Sequence, residues 1–163
     1  MRKKKMDRKA LVLFFVSFLL YINLTVKKKE ALEYKKNLKR MQQLYATANK
    51  WMRLELCKKD FSKILIKRGY KTAVIYGMGE LGQRLLEKLE LCNGIHVLYG
   101  IDQNADNIST IIPVYQLEKA LRLNAPDVVI LTMYSKDDSL TEKLQKAFMC
   151  PIWSLEELLN EAE

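Results

Sequence analysis

Three glycines lie close together near the middle of the chain. They belong to a G-x-G-x-x-G segment that comprises Gly77, Met78, Gly79, Glu80, Leu81 and Gly82. A β-forming run, residues 72–76, precedes the segment, and leucines at helical spacing follow it. In a strand–turn–helix of this kind the glycines permit a tight turn, backbone approach to a pyrophosphate and close helix–sheet packing. Because a helix N-terminus also offers free N–H groups and partial positive charge, we predict that these six residues contact the phosphates of a nucleotide.

An acidic residue follows the second apolar run. Asp102 lies twenty residues after Gly82, where a carboxylate can accept hydrogen bonds from a ribose diol. The same charge would repel a 2′-phosphate, which favours NAD over NADP as a ligand. We also place Thr132, at the end of the apolar run 127–132, in this site. The alternative is that the glycines only form a compact turn and that Asp102 only caps a loop.

The sequence does not assemble a complete set of catalytic residues. Tyr115 and Lys119 have the Y-x-x-x-K spacing of short-chain dehydrogenases, but they span a short strand and helix, and we interpret the spacing as coincidence. The single histidine, His96, begins the second predicted strand, away from the glycines. Three residues after the fourth strand could line the crevice, although they form no triad without a histidine: Ser135, Asp137 and Asp138. Catalysis is therefore left open.

The three cysteines do not suggest a disulfide framework or a metal site. Cys57, Cys92 and Cys150 are far apart, and no C-x-x-C occurs. We expect three reduced thiols and no bound metal.

Charge is distributed unevenly along the chain. Residues 1–68 contain 20 Lys or Arg and 5 Asp or Glu, whereas residues 69–163 contain 8 and 14. A basic arm favours nucleic acid or an anionic membrane surface as its partner. Residues 10–26 carry no charge and as a helix would reach about 25 Å, the short end of a membrane span. We therefore predict a membrane anchor and no nucleic-acid partner; a signal peptide, a surface-lying helix and an over-long start of the reading frame are the alternatives.

Residues 30–56 have apolar side chains at spacings of three and four. This seam consists of Ala31, Tyr34, Leu38, Met41, Tyr45, Ala48 and Met52. Leu44 and Trp51 widen it. The pattern predicts an amphipathic helix that either packs on its own globular domain, which we favour slightly, or forms a coiled-coil homodimer.

The remaining pattern alternates strands with helices. Strands are predicted at residues 72–76, 96–101, 111–114, 127–132 and 151–153, and helices at residues 61–67, 81–89, 117–123, 137–148 and from Ser154 onward. This order predicts an α/β fold, a Rossmann-like parallel sheet of about five strands preceded by a membrane helix and an amphipathic helix. The predicted divisions are an anchor (1–29), a helical linker (30–68) and a nucleotide-binding domain (69–163).

Residues 50–163 resemble a family of small Rossmann-like domains. IYGMGELGQRLLEKL, VLYGIDQNAD, IIPVY, DVVILT and CPIWSLEELL are similar to NAD(P)- or nucleotide-sugar-binding, epimerase-like domains of bacterial polysaccharide and glycosyltransferase loci. The resemblance implies phosphate contacts at Gly77, Gly79 and Gly82, with Asp102 as the matching acid. It also implies a role in envelope polysaccharide biosynthesis and, as a partner, a glycosyltransferase. The epimerase catalytic pair is missing.

Three functions are consistent with these observations. The first is a membrane-anchored accessory protein that binds a nucleotide, a nucleotide sugar or NAD. The second is a minimal NAD(P)-dependent oxidoreductase or epimerase completed by a partner, and the third is a Rossmann-like module that binds only protein. Since a nucleotide-type fold with free thiols is typical of the cytosol, we expect a single-pass protein of the cytoplasmic membrane with its globular domain in the cytoplasm.

Overall fold

A computed structural model describes residues 8–133 and 138–163, and its contacts divide the chain into two compact units, Met1–Gln42 and Gln43–Glu163. Helix α1 (Arg8–Leu56) begins in the first unit and ends in the second. The anchor and the amphipathic segment are thus one helix, because no glycine or proline interrupts the sequence before Gly69.

The second unit contains a five-stranded parallel sheet with the order β3-β2-β1-β4-β5. The strands are β1 (Thr72–Tyr76), β2 (His96–Ile101), β3 (Val114–Tyr115), β4 (Val128–Leu131) and β5 (Ile152–Ser154). The helices after α1 are α2 (Ser62–Lys67), α3 (Glu80–Glu90), α4 (Leu117–Ala120), α5 (Asp138–Phe148) and α6 (Leu155–Glu161), with a short 3₁₀ helix at Ala105–Asn107. The predicted Rossmann-like α/β fold is confirmed.

Alternate residues of the central strands face two separate cores. On one face, Ala73 and Ile75 of β1 pack with the leucines of α3 and α6. On the other face, Val74 and Tyr76 pack with residues of α4 and α5. Helices therefore cover both faces of the sheet, which explains why β1 and β4 are almost uninterrupted apolar runs.

The last turns of α1 belong to the core of the second unit. Leu54 is buried, and the indole of Trp51 meets Phe61 edge to face, with ring centroids 5.2 Å apart. Tyr45 and Met52, two residues of the predicted seam, are exposed. The last turns of the helix thus pack on their own domain through Leu54 and Trp51, a residue predicted to widen the seam, with Leu44 and Ala48 half-buried, whereas Tyr45 and Met52 of the seam face away.

Local hydrogen bonds and a glycine lie at the ends of α2 and α6, although the N-cap residue of α2 is Phe61, which makes no side-chain cap. Asp60 Oδ1 accepts hydrogen bonds from Ser62 N and Oγ at 3.1 and 2.6 Å, and Gly69 follows α2 with φ of +82°. Ser154 Oγ accepts from Glu157 N at 3.1 Å while Glu157 Oε2 accepts from Ser154 N at 2.7 Å, forming a capping box.

Two elements of the second unit differ from their predicted bounds by three residues at one end, and the others by about one residue. Strand β3 begins at Val114 rather than at residue 111, because Ile111 is exposed and Pro113 has no N–H to contribute to a sheet ladder. Helix α4 ends at Ala120 instead of residue 123, with the carbonyls of Leu117 and Lys119 capped by backbone N–H groups of the following turn.

Candidate functional site

The predicted site lies where the order of the strands reverses. The chain passes from β1 to β2 and β3 on one side and returns to β4 and β5 on the other, so the loops after β1 and β4 diverge. In open parallel sheets this divergence creates a crevice at the carboxyl ends of the strands. Residues 77–82 and Thr132 lie at this edge, and Asp102 follows the neighbouring strand β2.

The first and third glycines are required by the fold. Gly77 has φ of +97°, a conformation that other residues rarely adopt. A Cβ on Gly82 would lie 2.1 Å from the carbonyl oxygen of Gly77, so only glycine permits α3 to approach the turn this closely. These two residues therefore act as the motif predicts, whether or not a ligand is bound.

The second glycine differs from the other two. Gly79 has φ of −71°, which any residue can adopt, and a Cβ placed on it would meet no described atom within 4 Å. It is the N-cap residue of α3, and no described side chain caps the helix there. Glu80, in the first turn, is exposed, whereas Leu81 is half-buried against the core. An open face with uncapped N–H groups thus lies above Gly79.

Thr132 joins β4 to the glycine turn. Its backbone N–H donates to Tyr76 O at 3.0 Å, and its hydroxyl donates to the carbonyl oxygen of Gly77. A Cβ on Gly77 would lie 3.0 Å from Thr132 Oγ1. We predicted Thr132 as a ligand contact; its hydroxyl fixes the position of the turn.

Met78 contributes its backbone rather than its side chain to the site. Its side chain is fully buried beneath Gly100, where a Cβ would lie 2.6 Å from Met78 Cγ. Its N–H donates to Asp102 Oδ2 at 2.8 Å. Gly100 was not predicted to be part of the site, although a glycine inside a strand is a signal of close approach by another group.

Asp102 connects two backbone segments. Besides the bond from Met78, Asp102 Oδ1 accepts from Asn104 N at 2.9 Å. Each carboxylate oxygen has a further lone pair, because an ionised carboxylate can accept about four hydrogen bonds. Asp102 is half-buried at the end of β2 and retains acceptor capacity toward the crevice.

Tyr76 is the last residue of β1, directly before Gly77, and is buried in the core with residues of α4 and α5. Burial raises the pKa of its phenol, and the negative charges of Asp102 and Glu118 raise that pKa further.

The residues considered for catalysis do not converge with the glycine turn. His96 is exposed at the start of β2, the opposite end of the strand from Asp102. Lys119 Nζ lies over the ring of Tyr115, 4.7 Å from its centroid, a cation–π contact. Ser135 and Asp137, and the side chain of Asp138, lie outside the described residues.

The three cysteines are free thiols. Within residues 8–133 and 138–163, no group of three or more His, Cys, Asp or Glu side chains is arranged to hold a metal ion.

The first unit contains an apolar helical segment. By length and composition, α1 is the one helix of the described residues that could cross a membrane, and its apolar window near the N-terminus has no buried residues. A signal sequence meets the same criteria. The exposed side chains include Phe14, Leu19 and Leu24.

Comparison with known proteins gives a distant structural neighbour. No protein-family model and no curated protein matches the chain. Among solved structures, the chain is similar to UDP-D-quinovosamine 4-dehydrogenase from Vibrio fischeri, at 23% sequence identity and a TM-score of 0.46. The match covers 56% of this chain and 85% of that one, and the likeness is one of fold.

Proposed function

We propose that this chain is a membrane-anchored accessory protein that binds a nucleotide or nucleotide sugar at residues 77–82. The single observation that carries the proposal is the difference between its three glycines. Gly77 and Gly82 are explained by backbone conformation and packing, whereas Gly79 has an ordinary φ and open space where a Cβ would lie, and the fold favours glycine there only as the N-cap of α3. A pyrophosphate lying against this backbone supplies the missing reason, because a side chain there would occupy its space.

The polarity of the crevice supports an anionic ligand. Residue 79 begins α3, an 11-residue helix whose first N–H groups have no helical partner. These donors and the helix dipole favour a phosphate oxygen above the turn. Glu80 stabilises the same helix end from an exposed position, so the backbone, and not this side chain, would contact the phosphate.

Asp102 supports a ligand with a free ribose diol. Two of its lone pairs accept backbone N–H groups, and the others are available to ribose hydroxyls. Its negative charge opposes a ribose 2′-phosphate. We therefore expect NAD or a nucleoside-diphosphate sugar to bind more tightly than NADP.

The membrane part of the proposal depends on the first unit. An uncharged segment at residues 10–26, with lysines on both sides, suits a single-pass anchor. The sequence resemblance to epimerase-like domains of polysaccharide loci supports a place in envelope polysaccharide biosynthesis, with the domain in the cytoplasm and a glycosyltransferase as partner. Nucleotide-activated sugars are cytosolic substrates, which is consistent with this arrangement.

One observation favours a purely structural Rossmann-like module instead. Both oxygens of Asp102 already hold backbone segments together, so the fold alone gives this acid a role. This second candidate predicts that no nucleotide binds.

A binding screen separates the two candidates. The full chain, purified in detergent, is titrated with NAD, NADH, NADP, UDP-glucose and UDP-N-acetylglucosamine by isothermal calorimetry. We expect saturable binding of NAD or a UDP-sugar, and stabilisation of about 2.7 kcal/mol at a hundredfold excess over Kd. Tighter binding of NADP than of NAD would contradict the role of Asp102, and no binding by any compound would favour the structural module.

A further inference from the structure

The first unit presents an apolar stripe along α1 with a heptad spacing. From Leu13 the stripe advances alternately by four and three residues through Ser17, Leu20, Leu24, Lys27, Ala31, Tyr34, Leu38 and Met41. An alternation of four and three gives the period of 3.5 residues that places one stripe of a helix against another helix. The stripe is therefore suited to a long helical partner, and less suited to a flat surface.

The stripe is uncovered within its own unit. Leu13, Leu20, Leu24, Tyr34, Leu38 and Met41 are all exposed. Along residues 27–41, the face of the helix opposite the stripe is basic and contains Lys29, Lys36, Lys39 and Arg40. Because these cations repel an identical surface, the stripe, in which Lys27 is the one charged residue, is the side on which two α1 helices can approach each other.

The charges beside the stripe favour a second copy in parallel register. In a parallel pair, the residue six positions after Ser17, Leu24 or Ala31 lies beside the residue of the other copy that is five positions further along the chain. This rule places Glu30 beside Lys35 of the other copy, Asn23 beside Lys28, and Asn37 beside Gln42. The Glu30–Lys35 pair is oppositely charged, and each of the other two pairs includes an asparagine. No like charges therefore meet in these three pairs beside the stripe.

Insertion into a membrane makes the two α1 helices parallel. Two copies that insert in the same direction are parallel, and confinement to two dimensions raises the concentration of each copy around the other. Small residues permit close approach of helices inside the bilayer, and Ser17 lies at a contact position there with its hydroxyl donating to Phe14 O at 2.9 Å. Lys27 is the charged exception; near the end of the apolar segment its long side chain can extend toward the head groups.

We propose that the protein is a parallel homodimer in the membrane, joined along this α1 stripe. The proposal depends on the membrane-anchored part of the proposed function and is independent of nucleotide binding. In this proposal, a second copy of the chain, and not another protein, packs against the uncovered stripe.

Cysteine cross-linking of the full chain in native membranes tests the interface. The background is Cys57→Ser, since Cys57 is the exposed thiol. Leu38→Cys places a thiol on the stripe, and Leu32→Cys is the matched control on the basic face; the two leucines are 48% and 69% exposed. After oxidation with copper phenanthroline, we expect a disulfide-linked dimer for Leu38→Cys and about tenfold less for Leu32→Cys, because equivalent contact residues of a parallel pair lie face to face.

A second pair of variants tests the same interface with a cysteine at a different position. With Met41→Cys as reporter, Leu38→Lys should lower dimer formation about tenfold, whereas Leu32→Lys should leave it unchanged. Equal cross-linking at residues 38 and 32, or a monomer at both with the protein in the membrane pellet, overturns the dimer while leaving the anchor intact. An adduct of any other mass assigns the stripe to a different protein and also overturns it. Recovery in the soluble fraction overturns the anchor and the dimer together.

Discussion

At the scale of single residues, the glycines of residues 77–82 differ in their roles: some are required by the fold, and one lies where a ligand could bind. Gly82 tolerates no side chain because the Gly77 carbonyl lies against it. Thr132 then holds that carbonyl from the neighbouring strand. Gly79 has neither constraint, so its side of the turn stays open. A ligand is therefore expected to contact Gly79, the glycine that neither backbone conformation nor close packing requires.

A second polar cluster, at the other end of β1, makes stability depend on pH. The backbone N–H groups of Lys71 and Thr72 both donate to Asp127 Oδ2 at 2.8 Å and lower the pKa of this carboxyl. A lowered pKa in the folded state stabilises the fold above the unfolded pKa, and this contribution is lost as the pH falls through the folded value. We expect Asp127→Asn, which retains one oxygen for both N–H groups, to reduce that loss.

The measurement is the urea midpoint from about pH 6 to about pH 3, on either side of an ordinary aspartate pKa. Asp106→Asn, at an exposed residue of the 3₁₀ helix, is the control for removing one carboxylate. The same pH slope for wild type and Asp127→Asn would show that this carboxyl does not contribute.

At the scale of elements, the last turns of α1 stabilise the sheet domain through one face. Leu54 is 2% exposed within the core, whereas Met52, two residues earlier, is 59% exposed. We expect Leu54→Ala to cost about 2–4 kcal/mol, because it removes buried methyl groups and leaves a cavity, and Met52→Ala to change stability by less than about 0.5 kcal/mol.

Urea unfolding of the full chain in detergent, followed by tryptophan fluorescence, measures both changes. Similar effects of the two substitutions would contradict the assignment of the packing face. If only Met52→Ala lowered the free energy of unfolding strongly, the face of α1 that contains Met52 would be the one that packs on the domain.

The sequence predicted the order and type of these elements but not their exact contacts. Strands β1 and β4 are buried on both faces, so each is a nearly continuous apolar run that is easily recognised as a strand in the sequence. The packing face of α1 could not be chosen from sequence, because Trp51 and the seam residue Met52 are adjacent and equally apolar. Similarly, the burial of Met78 depends on Gly100 in a different strand, a contact that local periodicity does not encode.

At the scale of the whole molecule, the chain combines an apolar basic segment with an acidic α/β domain. We expect the protein to stay in the membrane pellet in about 1 M salt, where electrostatic attraction to lipid is screened over about 3 Å. The double variant Phe15→Lys and Leu19→Lys should release it, because each lysine at the centre of a span costs about 2.5–3.5 kcal/mol.

Leu32→Lys, outside the apolar segment, is the matched control and should remain in the pellet. Complete recovery of the wild-type chain in the soluble fraction after the salt wash would contradict a membrane-spanning anchor. Immunoblotting of pellet and supernatant provides the readout.

Nucleotide binding at Gly79 is the central claim, and a comparison of glycine variants tests it most directly. The full chain in detergent is titrated with whichever of NAD or a UDP-sugar binds the wild type, and the melting temperature of each variant is recorded alongside. Gly79→Val should remain folded without ligand, with a melting temperature only slightly below that of the wild type, since its Cβ meets open space and only the N-cap preference for glycine is lost, but it should lose binding at least about tenfold. Gly82→Ala should instead lower the melting temperature, because its Cβ meets a backbone carbonyl. A folded Gly79→Val with unchanged affinity would contradict the account.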